Sequence, residues 1–141
     1  ISHVVDIYKT KEKIDISIIN NSGEMAYVVS DKQQIIRIFN NLIKNSIQAI
    51  ESDKKGIIQI SINQKDQDYL IKIKDNGIGI SSENQKMIFS NEFTTKRDGT
   101  GIGLSIVKSL IESIGGSIEF KSQENIGTEF IIRIPKVNPQ K

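Results

Sequence analysis

The chain has 141 residues, two prolines, one histidine and no cysteine, one domain's length and enough to bury roughly two-thirds of its unfolded surface without staples. The missing cysteines exclude a disulfide framework and thiolate chemistry, and His3 alone supplies neither a histidine cluster for a transition metal nor the base of a Ser-His-Asp triad. Nineteen basic and 17 acidic residues are well mixed and leave a net charge of +2, too balanced to argue for nucleic acid as a partner.

The opening Ile1-Ser2-His3-Val4-Val5-Asp6 has neither the basic region nor the apolar stretch of a signal peptide, and it lacks an initiator methionine. The expectation is a piece cut from a longer protein, with cytosolic exposure as the default. No apolar run approaches the roughly 18 residues of a membrane-spanning helix. Thirty isoleucines favour pleated, half-buried surfaces, so several strands are expected. Ile14-Asp15-Ile16-Ser17-Ile18 alternates cleanly and reads as the first. Next, Ile35, Ile38, Phe39, Leu42, Ile43, Ile47 and Ile50 recur in steps of three and four, which predicts a helix with Ser30 or Asp31 as its cap. Ile58 to Ile62 and Tyr69 to Lys74 then alternate on either side of a polar turn, Gln64 to Asp68, and predict an antiparallel hairpin.

A short helix is expected around Ser82 to Phe89, and a longer one from Leu104 to Ile114 that stops at Gly115-Gly116. The chain closes with a second hairpin, Ser117 to Phe120 and Phe130 to Ile134 around the loop Glu124 to Gly127, before Pro135 and Pro139. Strand, helix, hairpin, helix, helix, hairpin is an α/β order. Two expected hairpins argue against an all-parallel sheet. The expected fold is a two-layer α/β sandwich, its mixed, mainly antiparallel sheet covered on one face by helices.

Three groups of residues have chemical potential. Asn41 and Asn45 lie four apart on the first helix, with Gln48 on the same stripe. They read either as a solvated helix side or as oxygen donors for a hard cation such as magnesium, which takes few protein ligands and completes its shell with phosphate and water. Asp75-Asn76-Gly77-Ile78-Gly79-Ile80 ends a strand. It reads either as a plain turn or as a ligand site, with an acceptor for an exocyclic amine and two glycines that admit a flat group. Gly99-Thr100-Gly101-Ile102-Gly103-Leu104 leads into a helix, whose free N–H groups suit a phosphate chain. No strand immediately precedes it, and GxGxG is neither the dinucleotide GxGxxG nor a P-loop. Upstream, Phe93-Thr94-Thr95-Lys96-Arg97 is either a polar loop or a lid.

In this order the groups resemble the catalytic ATP-binding domain of sensor histidine kinases. Asn41 to Asn45, Asp75 to Ile80, Phe89 and Phe93 with Thr94-Thr95-Lys96, Gly99 to Leu104, and Gly127-Thr128-Glu129-Phe130 match its N, G1, F, G2 and G3 boxes. The match spans about Lys32 to Pro135. The family shares its fold with DNA gyrase, heat-shock chaperones and mismatch-repair ATPases. The resemblance implies ATP and Mg2+ as cofactors, with Asn45 the magnesium ligand and Asn41 its companion near the phosphates. Asp75 would accept the adenine amine, while Gly77, Gly79 and Ile80 shape the pocket and Thr128 closes the adenine end. Gly99, Thr100, Gly101, Ile102, Gly103 and Leu104 would form the phosphate side. Gln48 and Thr95 are expected in the nucleotide site, and Lys96 as a catalytic lid cation. The lid is short, because only Lys96, Arg97 and Asp98 separate Thr95 from Gly99; fast nucleotide exchange is expected.

Relatives that hydrolyse ATP with water carry a glutamate where Asn41 stands. An amide is a poor general base for water, whereas a neutral imidazole is already nucleophilic. Glu51, six residues past Asn45, falls on another helix face and cannot substitute. The resemblance therefore implies a histidine kinase that transfers the γ-phosphoryl group to a histidine elsewhere. The alternatives are an ATP-hydrolysing relative and a non-catalytic nucleotide-binding module. His3 lacks the sequence context of a phosphoacceptor. The expected layout is a linker or preceding helix tail at 1–11, a catalytic domain at 12–136 and a tail at 137–141. The expected partners are a histidine-bearing dimerisation domain of the same kinase and a response regulator receiver domain. The piece is expected to be monomeric, the full-length protein a homodimer, and the location cytoplasmic, including the cytosolic portion of a membrane-bound sensor.

Overall fold

The computed structural model describes residues 14–21, 32–51, 53–89 and 103–136. Its elements follow the expected order: β1 (Ile14–Asn20), α1 (Lys32–Ala49), β2 (Gly56–Lys65), β3 (Asp68–Asp75), α2 (Ser82–Gln85), α3 (Gly103–Ser113), β4 (Ser117–Gln123) and β5 (Gly127–Pro135). The strands form one mixed sheet in the order β1-β2-β3-β5-β4. β1 runs parallel to β2, and the other neighbours are antiparallel. A parallel pair needs a long crossover, and α1 lies within the segment that joins these two strands.

Alternation puts every second strand residue on one side, and the register carries those positions across the sheet in rows. One row is Asn20, Ile62, Ile71, Ile132 and Ile118, and the next is Ile18, Ile60, Ile73, Phe130 and Phe120. Against these rows α1 buries Ile38, Phe39, Leu42 and Ile43, while α3 buries Val107 and Ile111. Each fully buried side chain of this size contributes about 1.5–3 kcal/mol of transfer free energy. Leu42→Ala would leave a cavity in the centre of the layer and cost roughly 2–5 kcal/mol. The opposite sheet face carries Ser17, Gln59, Lys74, Glu129 and Lys121 in one row, and Ile19, Ser61, Lys72, Ile131 and Glu119 in the next, so polar and apolar side chains mix there.

The third row on the helix side changes character. It reads Ile16, Ile58, Asp75, Thr128 and Ser122. Three polar residues interrupt an otherwise apolar surface at one end of the sheet, still beneath the helix layer. Asp75 and Thr128 are both buried.

Several boundaries differ from expectation. The first hairpin turns within Asp66-Gln67, with Asp66 at φ 56°, so its strands continue into the polar residues expected to form the turn. β4 and β5 likewise extend to Gln123 and Gly127, with Asn125 at φ 66° between them. Backbone pairing satisfies polar residues as well as apolar ones, and alternation cannot reveal it. The helix expected over Ser82 to Phe89 is regular only to Gln85, capped by Ser81 Oγ, which accepts from Asn84 N at 3.2 Å. Its continuation as turns buries Ile88 and sets Phe89 edge-on to Phe120 at 5.8 Å. α3 ends as expected, with Gly116 N donating to the Ile111 carbonyl at 2.9 Å and Gly115 at φ +84°. Ser30, Asp31 and Pro139 lie outside the described residues.

Candidate functional site

The polar row places Asp75 at the end of β3, 4 % exposed. Its Oδ1 accepts from Gly77 N at 2.9 Å and from Thr128 N at 3.3 Å. Burial holds its pKa above the ordinary carboxylate value, against the opposing influence of Gly77, Ser46 and Thr128. Both backbone donors reach Oδ1, and the Ser46 side chain also lies beside the carboxylate.

The loop after Asp75 is clamped from three directions. Ile78 N donates to the Ala49 carbonyl at the end of α1 at 2.8 Å. Asn76 Oδ1 accepts from Ile57 N at 2.8 Å, its Nδ2 donates to the Lys55 carbonyl at 3.1 Å, and its own carbonyl accepts from Lys54 Nζ at 2.9 Å. On the other side, Asn125 N donates to the Ile78 carbonyl at 2.6 Å. These contacts give the two glycines a protein-internal reason. A Cβ at Gly77 would sit 2.6 Å from the Ala49 carbonyl oxygen. At Gly79, with φ +70°, it would sit 2.3 Å from that of Gln123. The sequence suggested that glycine admits a flat ligand here; the close approach observed is between chain segments.

Ser122, which the sequence did not single out, ties this loop to β4. Its Oγ accepts from Ile80 N at 2.8 Å and stands 2.8 Å from Thr128 Oγ1 and 3.1 Å from the Gly127 carbonyl. Gln85 Nε2 donates to the Ile80 carbonyl at 2.8 Å. Thr128 thus serves the site through its buried backbone N–H and its link to Ser122. A signal for Ser122 was present: it falls on the core-facing register of β4, two residues past Phe120.

On α1, Asn41 and Asn45 are half-buried on one stripe, while Gln48 is exposed, one residue before the helix ends. Glu51 lies past that end. Its exclusion as a stand-in for Asn41 therefore rests on helix termination, not on its helix face. A Cβ at Gly103 would meet Asn41 Oδ1 at 4.0 Å, so the N-terminus of α3 and the α1 asparagine face each other. Leu104 packs on the core behind them. Thr95, Lys96, Gly99, Thr100, Gly101 and Ile102 lie outside the described residues, as do His3, Phe93 and Thr94.

Ser46 also belongs to the site. It follows Asn45 on α1, is 1 % exposed, and its side chain lies beside Asp75. It stands close enough to the Asp75 carboxylate to favour its ionised form. The amide oxygens of Asn41 and Asn45 are of the donor type a hard cation takes. Among the described residues no three His, Cys, Asp or Glu side chains gather into a metal site. A separate opening of about 300 Å³ borders Asp75 and Thr128 from the side of Lys74, Lys121 and Glu129 and includes neither asparagine. No helix among the described residues is long and apolar enough to cross a membrane.

Comparison with known proteins identifies the family. Residues 30–138 match the family model of the histidine kinase-, DNA gyrase B- and HSP90-like ATPases. The chain is 34 % identical over 108 residues to the sensor histidine kinase ZraS of Escherichia coli, covering 77 % of this chain and 23 % of that protein. It is 36 % identical over 119 residues to the signal transduction histidine-protein kinase AtoS of Escherichia coli, with 84 % and 19 % covered. The chain thus spans about a fifth to a quarter of the length of these relatives. The solved catalytic domain of the histidine kinase ThkA superposes with a TM-score of 0.83 at 33 % identity, covering 96 % of this chain and 89 % of that one. The chain therefore belongs to the histidine kinase-, DNA gyrase B- and HSP90-like ATPase family, as a catalytic domain of the sensor histidine kinase kind.

Proposed function

We propose that this domain binds ATP with Mg2+ and transfers the γ-phosphoryl group to a histidine on a dimerisation domain of the same kinase. A response regulator receiver domain would then take the phosphoryl group from that histidine. The observation that carries the reading is the pairing of a buried, backbone-anchored carboxylate at Asp75 with an amide at Asn41 facing the start of α3. In this arrangement Asp75 accepts from the adenine amine and Thr128 holds the carboxylate in place. Asn41 and Asn45 present amide oxygens toward the phosphate side, with Asn45 holding the cation. Magnesium, when bound, supplies charge neutralisation on the triphosphate oxygens. The residues outside the described range, Thr95, Lys96 and Gly99 to Ile102, complete the phosphate side in this proposal.

Asn41 supports kinase over hydrolase chemistry. A carboxylate at that position could take a proton from water, and an amide cannot. An imidazole attacks through its unprotonated nitrogen without such help, so catalysis rests on positioning and charge. The isolated domain is then silent in autophosphorylation. The test adds a separately made histidine-bearing dimerisation domain and γ-labelled ATP, and looks for acid-labile, base-stable label on that domain. Steady hydrolysis by this domain, with no label transferred, would overturn the reading in favour of an ATP-hydrolysing relative.

A further inference from the structure

Ile80 ends the loop that follows Asp75, and Ser81 then caps α2. The helix ladder starts one residue too late to serve Ile80. Gln85 N donates to the Ser81 carbonyl at 2.9 Å, so the Ile80 carbonyl lies outside the ladder and needs another donor. The Gln85 side chain reaches back to supply it. Its Nε2 donates to the Ile80 carbonyl at 2.8 Å and to the Ser122 carbonyl at 3.3 Å. Ile80 N in turn donates to Ser122 Oγ at 2.8 Å. Side chains thus hold both backbone groups of Ile80, and Gln85 ties α2 to β4, an end strand of the described sheet. Packing of α2 cannot replace this link, because the helix buries none of its four residues. The chain is fastened again only at buried Ile88 and at Phe89, which meets Phe120 two positions before Ser122 on β4. We propose that Gln85 is a positioning residue for nucleotide binding, which fixes the backbone of Ile80 and through it the wall of the base end. This inference rests on the ATP reading above.

In this role Gln85 acts through Ile80, whose side chain packs on the core. The Asn76 and Ile78 contacts hold the first half of the loop, and Gln85 with Ser122 holds its exit. Without the Gln85 donor the Ile80 carbonyl turns to water, and the loop gains conformations that binding must then remove. The two atoms that Gln85 Nε2 meets are both acceptors, so the position calls for a donor. A glutamate has the same shape but only accepts when ionised, and it would face two carbonyls. A methionine keeps the length and donates nothing. The pair of substitutions therefore separates hydrogen bonding from packing.

The test uses Gln85→Met and Gln85→Glu in this chain. Calorimetry at pH 7.5 should show the Met variant binding ATP about 3- to 10-fold more weakly than the unaltered chain, and the Glu variant at least as weakly. Hydrogen exchange of the Met variant should show faster exchange at the Ile80 amide, while the Ile73 amide in β3 keeps its protection. Ile118→Val, a core change on β4 outside this network, should lower the melting temperature and leave ATP affinity unchanged. In phosphoryl transfer to a separately made dimerisation domain, Gln85→Met should raise KM for ATP and leave kcat unchanged. ATP affinity of either variant equal to that of the unaltered chain would overturn the inference. So would protection lost at Ile73 together with Ile80, which would mark a general loosening. Failure of the unaltered chain to bind ATP at all would instead overturn the ATP reading and remove the inference with it.

Discussion

Asp75→Asn separates what the carboxylate does for the fold from what it does for a ligand. The amide keeps one oxygen for Gly77 N and Thr128 N and turns the other into a donor. For the fold, the relevant fact is that burial raises the Asp75 pKa above its ordinary 3.8. A carboxyl with a raised folded pKa binds its proton more tightly folded than unfolded. Its contribution is therefore most favourable at low pH and is lost as pH climbs from about 3.8 through the raised value. Above that window the folded state holds a desolvated charge, which the amide removes. The unliganded variant should melt higher than the unaltered chain at pH 7, and the two should converge toward pH 3. For the ligand the sign reverses. A hydrogen bond to a charged acceptor is worth roughly 1.5–3 kcal/mol, and every 1.4 kcal/mol is about tenfold. ATP affinity should therefore fall by about 10- to 150-fold, with two donors facing each other pushing toward the upper end. Calorimetry at pH 7.5 and melting curves between pH 3 and 8 measure both. ATP binding within threefold of the unaltered chain, or a variant that melts lower at pH 7, would refute the reasoning.

Gly79→Ala forces a side chain onto φ +70° and into the Gln123 carbonyl; the backbone term alone is about 1–3 kcal/mol, and a urea midpoint that hardly moves would contradict the close approach. Ser122→Ala strands the Ile80 N–H and should destabilise by about 1–3 kcal/mol, whereas Lys121→Ala, one residue away and exposed, should stay within about 0.5 kcal/mol. Asn41→Glu places a carboxylate opposite Gly103 and should raise steady-state ATP hydrolysis at least about tenfold, in line with the usual gain from a positioned base; phosphate release that does not increase counts against the role given to Asn41. Asn45→Ala should abolish the magnesium-dependent part of ATP affinity while leaving binding in excess chelator unchanged, read by calorimetry under both conditions.

The sequence was informative wherever one residue's chemistry or a simple period decided the outcome. Steps of three and four placed α1, and alternation placed both hairpins. Asp75 stood out because a carboxylate at a strand end needs a reason. What alternation cannot report is which strand neighbours which. The parallel pairing of β1 with β2, and the row that carries Asp75 to Thr128 and Ser122, exist only once the sheet is assembled. The glycines were legible as special but not why, since the Ala49 and Gln123 carbonyls that exclude a Cβ come from distant parts of the chain. Ser46 was legible in principle. A serine on the stripe of Leu42 and Ile43 is a buried hydroxyl, and asking where its hydrogen bond goes leads to Asp75.

The base end of the site is built before any ligand arrives. Asp75 is fixed by its own loop and by β5, and the loop is fixed to the end of α1, to the strand start at Ile57 and to the β4–β5 turn. A pocket held this way pays little ordering entropy on binding. The residues that hold it and the residues that read the base then have different signatures. Removing a clamp such as Asn76 loosens the fold and the pocket together, so stability and affinity fall in step. The Asp75 carboxylate, by contrast, is held buried against the desolvation of its charge. Changing it to the amide should weaken binding while the unliganded fold holds or gains stability. That opposition of signs distinguishes recognition from scaffolding at this end of the sheet.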